Sequence, residues 1–186
     1  MPSWFLTLQT THVCRKKIEK IYGNSRYMPD SKNLLWKMCW NILPTCFVLN
    51  NRFPLPSLEC YLCSNATESL EHLMLLCDWV AQVWLLAPRP LILNKLSSLS
   101  VVDWIKVILN QKTKLGLDEE AARDFQLYAA ILCDQIWMSK SIAKVEGTKS
   151  NLVELARQIH KIFQEHKQAW RLQLLKPSRK IQCSPP

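Results

Sequence analysis

ECYLCSNATESLEHLMLLCDW, residues 59–79, holds three of the chain's eight cysteines and one of its four histidines. Their order is Cys60-x2-Cys63-x8-His72-x4-Cys77. Cys-x2-Cys suits a tight turn whose two sulfurs reach one ion, and zinc takes four tetrahedral ligands drawn from thiolate and imidazole. A lone Cys-x2-Cys also suits a redox pair or two buried reduced thiols. His72 and Cys77, returning from a helix and its end, tip the reading to a metal. Three thiolates and one imidazole match the softness and geometry of Zn²⁺. Four protein ligands leave no open position for water, so the expected site is structural rather than hydrolytic.

Charge bears on what this turn can touch. Zn²⁺ with three thiolates carries a net negative charge, and Glu59, Glu68, Glu71 and Asp78 add four carboxylates, with no Lys or Arg in residues 59–78. Phosphates should be repelled there. The basic residues lie elsewhere: residues 12–37 hold seven Lys/Arg against two acids, and residues 149–186 hold eight against two, within a formal net charge of +9. Such flanks suit a polyanion or form a merely solvated surface.

Outward from the turn the apolar residues recur at helical spacing. DSKNLLWKMCWNILP reads as a helix capped by Asp30 or Ser31, with Leu35, Met38, Cys39 and Ile42 on one face and Pro44 at its end. A short helix follows in TCFVLNNRF, and TESLEHLMLL supplies one or two turns carrying His72. Asp78 is positioned to cap WVAQVWLLA, Ser100 and Asp103 form a capping box for VVDWIKVILNQK, Asp118 opens a long helix, and Ser150 caps NLVELARQIHKIFQEHKQAW. A weaker helix is expected near Cys14–Tyr22, flexible joints at 89–100 and 144–150, and disorder in the Pro-containing tail. The fold class is therefore all-α: a small helical domain organised around a Cys3His zinc turn, followed by additional helices. The expected division is a weakly ordered basic segment at 1–30, the zinc domain at 31–88, a helical region at 89–170 and a basic tail at 171–186.

The stretch around the cysteines resembles the zinc-binding region of plant LINE-type (non-LTR) reverse transcriptases. The residues that carry the likeness are Trp36, Leu43-Pro44-Thr45, Leu49, Arg52, Cys60, Cys63, Glu68, His72-Leu73, Cys77 and Val83-Trp84, over about residues 33–86. Farther on, YAAILCDQIWMSKS is similar to a long helix of those elements, although Trp137 is followed by Met-Ser-Lys-Ser rather than Lys-x-Arg-Asn. The resemblance implies a connector between polymerase and ribonuclease H regions, with a role in handling element RNA or target DNA. The paired-aspartate motif of the polymerase and the ribonuclease H carboxylates do not occur here, so no enzyme activity is expected.

Other features are weaker. Three glycines exclude a glycine-rich phosphate loop, and no run of 18 apolar residues reads as a membrane span. The first residues lack a secretory pattern, so reduced thiols in the nucleus or cytoplasm are expected. Cys39, Cys46 and Cys133 sit among apolar residues and read as core, as do Trp36, Trp40, Trp84, Trp104 and Trp137. His160 and His166 are six apart on one helix, poor spacing for one ion. Asp118, Glu119 and Glu120 complement a helix N-terminus.

The leading expectation is a non-catalytic zinc module that binds single-stranded RNA or DNA weakly. The residues expected to contact it are Arg157, Lys161, Arg171 and Lys176, with Arg15, Lys16, Lys17 and Lys20 as a second cluster. A zinc-stabilised module with protein partners is the alternative, and an inert fragment of a longer polyprotein is the third. Neither a small-molecule substrate nor a membrane is expected as partner.

Overall fold

A computed structural model describes residues 16, 18, 29–92, 100–109 and 117–174. Among them the chain is mostly helical and contains no strand beyond one isolated antiparallel bridge, Glu59 with Thr67. The elements are α1 (Pro29–Cys39), α2 (Cys46–Asn50), a π turn (His72–Leu76), α3 (Asp78–Leu85), α4 (Val101–Leu109), α5 (Glu119–Glu146) and α6 (Leu152–Leu174). Lys16 and Ile18 are helical, and Ile18 is buried. The rest of the expected helix at 14–22, with Arg15, Lys17 and Lys20, lies outside the described residues, as do most of the 89–100 joint and the tail carrying Lys176.

The end of α1 departs from the sequence reading. Asn41 adopts a left-handed conformation, φ 50. Its N–H bonds Met38 O at 3.1 Å, and Ile42 N–H bonds Lys37 O at 3.1 Å. This is a Schellman closure, which asparagine tolerates better than most non-glycine residues. The helix therefore stops before Pro44, and Ile42 turns outward instead of extending the Leu35–Met38 face. Trp40 shares that fate: it is exposed, tilted against half-buried Trp36.

The other caps follow the local chemistry. Thr45 caps α2. At the start of α4, Ser100 Oγ accepts from Asp103 N–H at 3.1 Å, one bond of a capping box, and the Ser100 hydroxyl donates to Asp103 Oδ2 at 2.8 Å. Asp118 Oδ1 accepts from Ala121 N–H at 2.8 Å at the start of α5, a contact of a kind worth about 1 kcal/mol. Asn151, not Ser150, caps α6: its Oδ1 accepts from Val153 and Glu154 N–H at 2.9 and 3.1 Å. Cys77, not Asp78, is the cap residue of α3.

One buried cluster runs through the molecule. It takes Leu35 and Met38 from α1, Leu73 and Leu75 from the π turn, Val80, Val83 and Trp84 from α3, Trp104 and Ile108 from α4, Leu132 and Ile136 from α5, and Ile159 and Phe163 from α6. Helix α5 packs against α1, α4 and α6, while α3 packs against the π turn and α6. Trp84 and Trp104 meet edge to face, with centroids 5.5 Å apart, and both are buried. Cys39, Cys46 and Cys133 lie in the core as expected. Among the described residues no helix is long and apolar enough to cross a membrane.

Tyr128 and Phe163 close the α5–α6 seam edge to face, with centroids 5.4 Å apart. Burial pushes the Tyr128 phenol up from 10.0 to about 12. Unfolding returns it to its ordinary value, so the advantage of keeping it neutral is complete below about pH 10 and fades as pH rises toward 12. Burial beside Cys46 and Glu68 also raises the Tyr61 phenol, so phenolate absorbance should show late ionisation while the chain is folded, and Tyr128→Phe should remove the part of it near 12.

Candidate metal centre

The four expected ligands converge. One donor atom from each of Cys60, Cys63, His72 and Cys77 lies within 4.8 Å of the others. Three backbone features bring them there. First, the Cys60–Cys63 turn is closed by Ser64 N–H to Cys60 O at 2.8 Å and opened toward the centre by Ser64 at φ 61. Second, the Glu59–Thr67 bridge and the bond from Cys60 N–H to Ala66 O, 2.8 Å, fold the loop back on itself. Third, Ser69 Oγ accepts from His72 N–H at 3.0 Å, starting the helical turn that ends when Cys77 N–H bonds His72 O at 2.8 Å. That last bond spans five residues, making the segment a π turn rather than the ordinary helix read from sequence.

The donors fit a zinc ion. Zn–S bonds near 2.3 Å in a tetrahedron set sulfur–sulfur separations of about 3.8 Å, which falls within the 4.8 Å limit on every donor pair here. Cys63 Sγ is 3.2 Å from His72 Nε2 and accepts from Asn65 N–H at 3.4 Å. Cys60, His72 and Cys77 are buried and Cys63 is half-buried. A hydrogen bond from Cys77 holds the Cys60 thiol down at about 4. The same bond, with burial, pushes Cys77 up, opposed by the Val80 N–H at the start of α3. Two buried sulfurs in contact, beside a third sulfur and an imidazole, are surroundings that a cation would complete.

Residues 2–84 match the family model for zinc-binding in reverse transcriptase. The match contains all four donors. Among curated proteins and solved structures, no match was found. The family and the Cys3His cluster together point to a metal, zinc, in the reverse-transcriptase-type zinc-binding region.

Glu68, inside this region, does not sit on the acidic surface expected from the sequence. Its side chain is wholly buried and paired with buried Lys140 of α5, Nζ to Oε1 at 3.0 Å. Oε1 also accepts from Cys46 N–H at 3.1 Å, and Lys140 Nζ donates to Pro44 O at 3.3 Å. Glu68 therefore adds nothing to the field that a phosphate would meet at the turn. Lys140 was missed as a site residue. The signal for it existed: it lies four residues after Ile136 and three before Ala143, on the apolar stripe of α5, where an unpaired lysine is untenable.

The basic flank is partly answered by acids. Arg157 pairs with Glu154 on α6, Lys167 with Asp124 on α5, and Arg171 with Glu120 on α5 at 3.2 Å. Lys161 is exposed. Lys149 reaches the zinc turn, donating to Ser64 Oγ at 3.4 Å. His160 is exposed and His166 half-buried, consistent with surface and core-edge roles.

Proposed function

We propose that this chain is a non-catalytic zinc module, descended from LINE-type reverse transcriptases of the kind found in plants, that binds single-stranded RNA or DNA through the solvent side of α6. The observation that carries the reading is the Cys3His cluster within the residues matching a reverse-transcriptase zinc-binding family. Closed coordination by four protein side chains supplies shape, not chemistry. Arg157 and Lys161, four apart and exposed on α6, supply cations for a phosphate backbone, with Lys149 at the turn; Lys176 follows in sequence, outside the described residues. Reduced zinc thiolates favour an intracellular setting, nuclear or cytoplasmic.

Anisotropy of a labelled single-stranded oligonucleotide across a salt series tests this. Each phosphate neutralised on a single strand adds about 0.7 to the salt slope, so replacing Arg157, Lys161, Arg171 and Lys176 with Gln should flatten it by up to about 3. Lys161→Gln should be the strongest single change, because Arg157 and Arg171 already share their charge with Glu154 and Glu120. Binding by the fourfold variant as tight as by the parent at about 100 mM salt would leave the flank a solvated surface.

A second reading, a module with protein partners, is favoured by the large apolar side chains left outside the core: Phe47, Phe53, Val145 and Val153 are exposed. Salt-insensitive or absent nucleic-acid binding moves this reading ahead.

A further inference from the structure

We infer that the Glu68–Lys140 pair makes metal binding and docking of α5 a single cooperative event, so that the zinc-holding unit extends beyond the matched residues 2–84 to Lys140. The inference rests on the metal reading above.

Glu68 lies on the loop between Cys63 and His72, and residues outside that loop bond it at every polar atom but one. Its N–H bonds Leu58 O at 2.8 Å, its carbonyl accepts from Phe47 N–H at 3.1 Å, and Oε1 accepts from Cys46 N–H and Lys140 Nζ. Oε2 is buried with no hydrogen-bond partner. The carboxylate thus ties the loop to the start of α2 and to α5, and because Glu68 sits between two of the four donors, an ion held by them would restrict where that carboxylate can lie.

Lys140 has the complementary constraint. Its side chain is 3% exposed, and besides Glu68 its ammonium meets Pro44 O and the face of Trp137, 4.5 Å from the ring centroid. A carbonyl and a ring face do not replace a counter-ion. Replacing both members of a buried ion pair by apolar groups is often harmless, whereas removing one partner is severe, because the remaining charge is stranded. If the loop relaxes on metal loss, Glu68 leaves and Lys140 is stranded in the core. Helix α5 must then shift to return the ammonium to water. Because α5 also packs against α1, α4 and α6, the shift cannot stay local.

Elemental analysis of the full-length parent comes first; a parent without zinc sinks the metal reading itself. With zinc present, chelator competition is expected to show an apparent zinc affinity about 100-fold weaker in Lys140→Met and in Glu68→Gln. The double variant Glu68→Gln/Lys140→Met should recover to within about tenfold of the parent, since it strands no charge. Hydrogen exchange gives a readout that does not depend on the single variants folding. Stripping zinc from the parent should raise exchange of α5 amides around Lys140, and stripping it from the double variant should raise it far less. Unchanged α5 protection in the stripped parent, or equal loss in parent and double variant, overturns the coupling while leaving zinc binding intact.

Discussion

Cys63→Ser, purified in parallel with the parent, should contain no zinc and should lose most of its helical circular dichroism, while the parent carries one zinc per chain. The expected effect is large because the site lies within the fold. Cys60 and Cys77 belong to the same buried cluster as Trp84 and Trp104, and Cys77 also begins α3. Structural zinc contributes on the order of 10 kcal/mol to the folding of small domains, comparable to the whole net stability of a typical domain, about 5–15 kcal/mol. Losing one of four ligands also leaves two buried thiols and a buried imidazole with nothing to bind. Full helicity in Cys63→Ser, or a fully helical parent stripped of zinc, would show that apolar packing alone holds the fold.

Trp104→Ala should be the most damaging apolar truncation, about 3–5 kcal/mol in urea denaturation at fixed zinc. Trp104 is 1% exposed and stands edge-on to Trp84, joining α4 to the helix that leaves the metal centre. Its indole N–H, however, is buried without a hydrogen-bond partner among the described residues. An unsatisfied buried donor costs about 1–3 kcal/mol, so Trp104→Phe removes a liability along with some packing and should cost about 1 kcal/mol or less. Equal destabilisation by Ala and Phe would mean that the N–H is satisfied and the ring's volume matters less than its polarity.

What the sequence disclosed depended on how far apart the deciding atoms lie in the chain. The Cys3His group was legible because its members fall within one short stretch, and thiolate and imidazole in that order have few other uses. The helices were legible from apolar spacing and from caps such as Asp118 and the Ser100–Asp103 pair. Ile42 and Trp40 were misplaced because Pro44 drew attention as the stop signal, when a left-handed Asn41 had already turned the chain. Glu68 was misread for a different reason. A glutamate in an acidic run looks solvated, and its partner lies on α5, far along the chain, where no local pattern points back to it. The acids of α5 that answer Lys167 and Arg171 were hidden in the same way: a helix hairpin brings together charges that a count over one segment treats as separate.

The π turn at His72–Leu76 has a consequence for which changes of length the chain can accept. An ordinary helix would place residue 76, not 77, over His72; the extra residue in the wide turn delays the backbone by one step. That delay sets the rotational phase of everything after it, aiming Cys77 at the other donors while Val80, Val83 and Trp84 face the core. Deleting any one residue from 73 to 76 would close the turn to the common pitch, with Cys77 still able to bond His72 O, but every side chain between the deletion and Cys77 would step by roughly 100° around the turn. No side chain with chemistry would have been removed, yet the buried set Leu73, Met74 and Leu75 would be re-sorted between core and solvent and the approach of Cys77 to the other donors narrowed. A deletion there is equivalent to a frameshift in three dimensions, and exchanges of residue identity along Leu73–Leu76 should be tolerated far better than any change in their number.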